Sequence, residues 1–151
     1  AFGLDYSREM FNNALHPNLI LASVFSLPFK PATFNLITAS NLLFLLSDPR
    51  AALIEMTRLL KPNGEIALLN PSEQMSVAAA TALADERELT GLSRDTLLNY
   101  ASRAERHFCW GVGELEQLFS SADCQLTATQ PKMGTGLVLF ALGKRDAGIQ
   151  P

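Results

Sequence analysis

Two short apolar runs, separated by a polar loop, constrain this chain more than any other feature. Leu19 to Ala22 is followed by the corner Ser26-Leu-Pro-Phe29 and then by Leu36 to Ala39 within Thr33-Phe-Asn-Leu-Ile-Thr-Ala-Ser-Asn41. Short apolar runs bounded by turn residues suit strands buried on both faces, as in a parallel sheet covered by helices.

The flanking segments fit that reading. Ala1 to Leu4 is apolar and ends in Asp5; Ser7 predicts the cap of a helix with Met10, Phe11, Ala14 and Leu15 on one side, stopped by His16-Pro17-Asn18. Ser47-Asp48-Pro49 sets a capping residue and a first-turn proline before Ala52, Leu53, Met56, Leu59 and Leu60 at helical spacing. Lys61-Pro62-Asn63-Gly64 then predicts a turn into a strand over Ile66 to Leu69. Strands alternating with helices in this rhythm imply parallel pairing with crossover helices. Pro71 to Trp110 predicts a helix from Glu73 to Leu89, a break at Gly91 and a second helix capped by Ser93. Leu115, Leu118 and Phe119 predict a helix over Glu114 to Ser120. Gln125 to Gln130 and Gly136 to Leu142, joined by Pro131-Lys132-Met133-Gly134, predict an edge hairpin, and the polar tail from Lys144 is expected to fray.

Composition narrows the function classes. A chain of 151 residues with 48% hydrophobic content suits one domain. A net charge of -3 provides no basic field for a phosphate backbone, so nucleic acid is not an expected partner. The longest apolar runs, such as Leu42 to Leu46 and Leu137 to Leu142, fall far short of the roughly 20 residues that cross a bilayer, so no membrane is expected. Cys109 and Cys124 cannot build a disulfide framework, and with no charged-then-apolar leader the expected setting is cytoplasmic; the start at Ala1 rather than Met leaves room for a lost leader. His107-x-Cys109 has too few partners of its kind for a tetrahedral site, and no metal is expected. The oligomeric state is open.

Gly3-Leu-Asp-Tyr-Ser-Arg-Glu-Met10, the Asn18 to Phe29 stretch, Thr33 to Asn41 and Glu55-Met-Thr-Arg-Leu-Leu-Lys-Pro-Asn-Gly64 stand in a telling order. They resemble the class I S-adenosylmethionine (SAM) dependent methyltransferases of the small-molecule branch, whose segments read G-x-D-x-S-x-x-M, D-A-x-x-L-P-F, F-D-x-V and R-x-L-K-P-G-G. The resemblance covers most of the chain. It implies an α/β, Rossmann-like methyltransferase fold: a mostly parallel sheet in the strand order 3-2-1-4-5-7-6, helices on both faces and a C-terminal antiparallel hairpin. It divides the single domain into cofactor-side units over 1–70, a helical lid or insertion over 71–112, and a C-terminal helix and hairpin over 113–151. It also implies SAM as cofactor and a small-molecule methyl acceptor as partner.

By the same resemblance, Asp5 at a strand end would accept from the ribose hydroxyls, although an aspartate there can equally cap the following helix. Tyr6 and Met10 would lie at the ribose and adenine, with core packing the alternative for Met10. Ser23 stands where the family has an aspartate for the adenine amino group, and the Val24 amide would meet the ring. Ser40 and Asn41 would approach the methionine part of SAM. Asn35 also replaces a family aspartate, and Leu42-Leu43-Phe44 is expected to be core. A general base is needed only if the acceptor must lose a proton. Glu73, Tyr100 and His107 lie in or beside the lid, but these types are more often surface or packing residues, and the catalytic residue is unknown. Val77, Leu83, Leu97 and Leu98 form an apolar side that suits either the core or a hydrophobic acceptor.

One family part is missing: the glycine-rich turn after the first strand. Gly111-Val112-Gly113 follows no clear strand, and Gly134-Thr135-Gly136 falls in the hairpin turn. The family's first strand would lie between the strand ending at Asp5 and the one ending at Ser40, and its absence would leave two unpaired rows of backbone groups. The expectation is an N-terminal truncation, with an upstream strand, loop and helix; the alternative is a smaller sheet in which the flanking strands close up. Two rival functions stay open. Ser23, Asn35 and the missing loop suit a non-catalytic binding or assembly domain. A nicotinamide-binding Rossmann domain also ends its second strand in an acid, but leaves the Leu-Pro-Phe corner and the Arg58 turn unexplained.

Overall fold

The structure, a computed structural model, describes residues 1–12 and 18–147. Strand β1 (Gly3–Asp5) pairs in parallel with β2 (Leu19–Leu21), Gly3 opposite Leu19 and Asp5 opposite Leu21. A second sheet holds β3 (Phe34–Ser40), β4 (Leu60–Pro71), β5 (Cys124–Lys132) and β6 (Val138–Arg145) in the order β3-β4-β6-β5. β3 and β4 are parallel; β6 runs antiparallel to both its neighbours. Placed side by side, the two sheets reproduce the order 3-2-1-4-5-7-6 with the central strand left out.

The flanking strands do not close up. Among the described residues no ladder joins β1 to β3. Edge-to-face rings link them near their starts: Phe29 lies 5.3 Å from Phe2 and 4.8 Å from Phe34, and Phe2 lies 6.1 Å from Phe34, centroid to centroid.

Local chemistry explains the helices. Helix α1 (Pro49–Leu59) opens with Asp48 Oδ1 accepting from Ala51 N at 2.9 Å and buries Ala52, Leu53, Met56 and Leu59. It passes straight into β4. The predicted turn at Lys61 to Gly64 is instead a bulge within that strand, because Leu60 pairs with Phe34 before it and Glu65 with Leu36 after it. Asn63 takes a left-handed φ of 62°, and a side chain on Gly64 would start 3.2 Å from the Asn35 carbonyl oxygen.

Helix α2 (Val77–Glu86) begins later than Glu73. Ser72 holds the chain in a turn by donating to the Gly136 carbonyl and accepting from Gln74 N, and Ser76 caps the helix through Ala79 N. Helix α3 (Gly91–Ala104) has Thr90, not Ser93, at its N-cap. Gly91 is its first residue; the break comes earlier, where Glu88 turns to φ 52° and Leu89 N donates to the Ala84 carbonyl. Glu105 Oε1 accepts from Val77 N at 2.6 Å, tying the end of α3 to the start of α2. Helix α4 (Val112–Ser120) buries Leu115, Leu118 and Phe119, and it packs with α1 beside the sheet. A Cβ on Gly143 would sit 2.1 Å from the Phe119 ring, so β6 needs glycine there.

Two further expectations change. Lys144 and Arg145 are not frayed: they complete β6 opposite Gln125 and Cys124, and the Arg145 guanidinium donates to the Leu60 carbonyl. Ser7 precedes only a 3-10 turn, Arg8–Phe11, and its side chain makes no cap bond; Ala14, Leu15, His16 and Pro17 lie outside the described residues. Among the described residues the buried apolar core begins at Leu43, and no helix is long and apolar enough to cross a membrane.

Candidate functional site

The carboxyl ends of β1, β2 and β3 carry the residues singled out from sequence. Asp5 ends β1, where its Oδ1 accepts from Ser7 N at 2.7 Å, and its main-chain oxygen accepts from Ala22 N at 3.0 Å. One carboxylate oxygen shapes the turn ahead of the 3-10 segment, whose N-cap is Ser7, and the other has no partner among the described residues. Tyr6 is 83% exposed and Met10 67% exposed, so Met10 is not core. Beyond β2, Ser23 Oγ accepts from Phe25 N at 3.3 Å, while Val24 is half-buried against the core.

The rim after β3 is fixed from β4. Ser40 is exposed, opposite Leu69. Asn41 adopts φ 54° and donates its main-chain N–H to the Leu69 carbonyl at 2.7 Å. Next to it, Leu43 N donates to Oδ1 of Asn70, which is 3% exposed. Leu43 and Phe44 are core, as expected.

Beside this rim lies a cleft of about 450 Å³ whose walls include Asn41, Leu83, Arg87, Leu97, Tyr100 and Met133. Tyr100 donates its hydroxyl to Asn41 Oδ1 at 2.6 Å and stands edge-on to Phe44, with centroids 6.1 Å apart. Burial, with a smaller contribution from the nearby Cys109 charge, pushes the Tyr100 phenol up to about 12. At neutral pH it is a hydrogen-bond donor and a poor base. His107 packs edge-on against Phe44 at 5.9 Å, outside the cleft lining. Glu73 faces Gly111, where a Cβ would lie 2.7 Å from its Oε2.

The Leu-Pro-Phe corner owes its shape to α1. Glu55 Oε1 accepts from Leu27 N at 2.8 Å; Arg58 binds both Glu55 oxygens at 2.7 Å and donates to the Phe29 and Leu27 carbonyls at 3.1 and 3.2 Å. Arg58's hydrogen bonds, aided by Leu27 N–H and opposed by burial, hold the Glu55 carboxyl below its ordinary range. Sequence reading missed this clamp, although an acid and an arginine three apart on a helix were a usable signal. It also missed Asn70 and Arg87, and for these no local signal existed.

Comparison with known proteins bears on the fold that carries these residues. Residues 1–68 match the methyltransferase domain family. A 59-residue stretch is 37% identical to an uncharacterized methyltransferase of Schizosaccharomyces pombe, covering 39% of this chain and 20% of that relative. The matched stretch therefore spans about a fifth of the curated relative's length. In fold, the chain is similar to a methyltransferase candidate solved in complex with the Haloferax volcanii Trm112 methyltransferase activator, with a TM-score of 0.70 at 16% identity, covering 99% of this chain and 73% of that one. A SAM-dependent methyltransferase of Thermotoga maritima, described as a possible histamine N-methyltransferase, gives 0.66 at 18% identity, with 95% and 72% covered. One from Methanosarcina mazei gives 0.67 at 12%, with 97% and 82% covered.

Proposed function

We propose that this chain, which has the class I methyltransferase fold and a methyltransferase domain match over residues 1–68, binds SAM along the ends of β1, β2 and β3 and methylates a small-molecule acceptor. The observation that carries this reading is the strand order, β2-β1 beside β3-β4-β6-β5 with the antiparallel β6 set between β4 and β5.

The residues present suit the cofactor chemically. Asp5 offers an unpartnered carboxylate oxygen to ribose hydroxyls, Tyr6 and Met10 offer exposed apolar surface to the nucleoside, and Ser23 Oγ, which accepts from Phe25 N, keeps a second lone pair to accept from the adenine amino group. Ser40 and the constrained Asn41 face the methionine end. SAM supplies a methyl group on a sulfonium: the acceptor's lone pair forms the new C–nucleophile bond, the S–CH3 pair stays on sulfur, and any acceptor proton leaves to solvent. The protein's share is alignment and exclusion of water.

The cofactor-competent form has a further strand, from elsewhere in the native polypeptide, between β1 and β3. The unpaired facing edges support this, as do Leu4 and Leu36, which are 37% and 52% exposed on strands of apolar sequence. A second reading, a non-catalytic binding domain, draws on Ser23, whose shorter uncharged side chain is already engaged with Phe25 N. Calorimetric titration of S-adenosylhomocysteine into the native full-length polypeptide separates the two. Binding that Asp5→Ala abolishes supports the methyltransferase reading, whereas no binding to a folded protein contradicts it.

A further inference from the structure

The lid cleft has a chemical polarity of its own. Ser93, Thr96, Leu97 and Tyr100 line it, at the i, i+3, i+4, i+7 spacing of a single α3 face, so it runs along two helical turns, or roughly 10 Å. Leu83, Leu97 and Met133 make apolar walls. Among the described residues, Arg87, in the break before α3, is the charged residue lining it, and no aspartate or glutamate does. The Arg87 guanidinium has no ion pair or hydrogen bond among the described residues. Glu86 and Glu88 flank it in the chain without pairing with it, and Asp85 is taken by Arg94 at 2.7 Å. Farther along α3, Tyr100 holds Asn41 by its Oδ1, leaving the Asn41 amide N–H pair without a partner among the described residues.

We infer that this cleft holds the methyl acceptor, and that the acceptor is an elongated apolar molecule with a carboxylate at one end. The inference rests on the methyltransferase reading for the word acceptor, but not for the carboxylate. The carboxylate meets the Arg87 fork, whose planar donors match it. The apolar body lies along Leu83, Leu97 and Met133, and the uncharged end that receives the methyl reaches Asn41 at the cofactor rim. A cleft of about 450 Å³ falls in the range that encloses small organic ligands. Tyr100 is a positioning residue that fixes the Asn41 amide.

The test compares two probes of equal shape, 4-phenylbutanoate and its uncharged amide, titrated calorimetrically into the native full-length protein and into Arg87→Gln. Arg87 is exposed, so this variant is expected to fold. The carboxylate should bind about tenfold or more tighter than the amide, and Arg87→Gln should erase that difference while leaving the amide unchanged. Equal binding of the two probes, a preference that survives Arg87→Gln, or no binding of either at millimolar concentration overturns the inference. The titration contains no cofactor. A protein that prefers the carboxylate but fails to bind S-adenosylhomocysteine therefore sinks the methyltransferase reading alone.

Discussion

Residues before Leu43 and residues after it are built from similarly apolar strands but end up in different surroundings. β4 and β6 bury Leu60, Ile66, Leu68, Val138, Leu139 and Ala141 between helices and neighbouring strands. In β1, β2 and β3 no described residue is buried, and Leu4, Leu21 and Leu36 keep between 37% and 55% of their surface in water. The difference lies in the neighbours: β4 has a strand on each side, whereas β1 and β3 each turn one unpaired edge toward the other. Apolar strand sequence states a demand for cover, and only the half after Leu43 meets it from within the described residues.

The sharpest test of this contrast is a core truncation. Phe119→Ala empties the space against Gly143 and is expected to cost about 3–5 kcal/mol in chemical denaturation. Asn70→Ala orphans the buried Leu43 N–H and is expected to cost about 1–3 kcal/mol by the same measurement. Two pH dependences come next. Because the Glu55 pKa is lowered on folding, its contribution is present above its ordinary 4.5 and is lost as pH falls through the lowered value; Glu55→Gln should flatten that acid limb. Tyr100 behaves oppositely. Its raised pKa means that stability is intact below about 10 and declines as pH climbs through about 12, a decline Tyr100→Phe should remove. The smallest effect belongs to Leu36→Ala, expected within about 0.5 kcal/mol in this chain because the side chain is already half in water. A loss there to match Phe119→Ala would break the comparison.

Much of this was legible from local pattern. Asp48-Pro49 marked the start of α1, short apolar runs fell within or overlapped the strands, though only Ile66 to Leu69 of β4 was read, and the segments around Asp5, Ser40 and Arg58 pointed to the methyltransferase fold. What escaped depends on distant partners. Helix α2 starts late because Ser72 bonds Gly136, 64 positions away, and Lys61 to Gly64 stays in the sheet because β3 pairs on both sides of it. The Leu-Pro-Phe corner reads as a corner in sequence, but the Glu55–Arg58 clamp that forms it comes from a helix 28 residues downstream. Among the candidate residues, strand-end positions such as Asp5 and Asn41 follow from topology, whereas the pairing of Asn41 with Tyr100 needs helix α3 in place.

The most direct test of the central claim is amide hydrogen exchange of the native full-length protein with and without S-adenosylhomocysteine. Within residues 1–147, new protection is expected at the ends of β1, β2 and β3, at Asp5 to Met10, Ser23 to Val24 and Ser40 to Asn41, with β4 and β6 already slow and unchanged. Protection centred instead on the Gly111 to Gly113 start of α4, or none at a saturating ligand concentration, would contradict it.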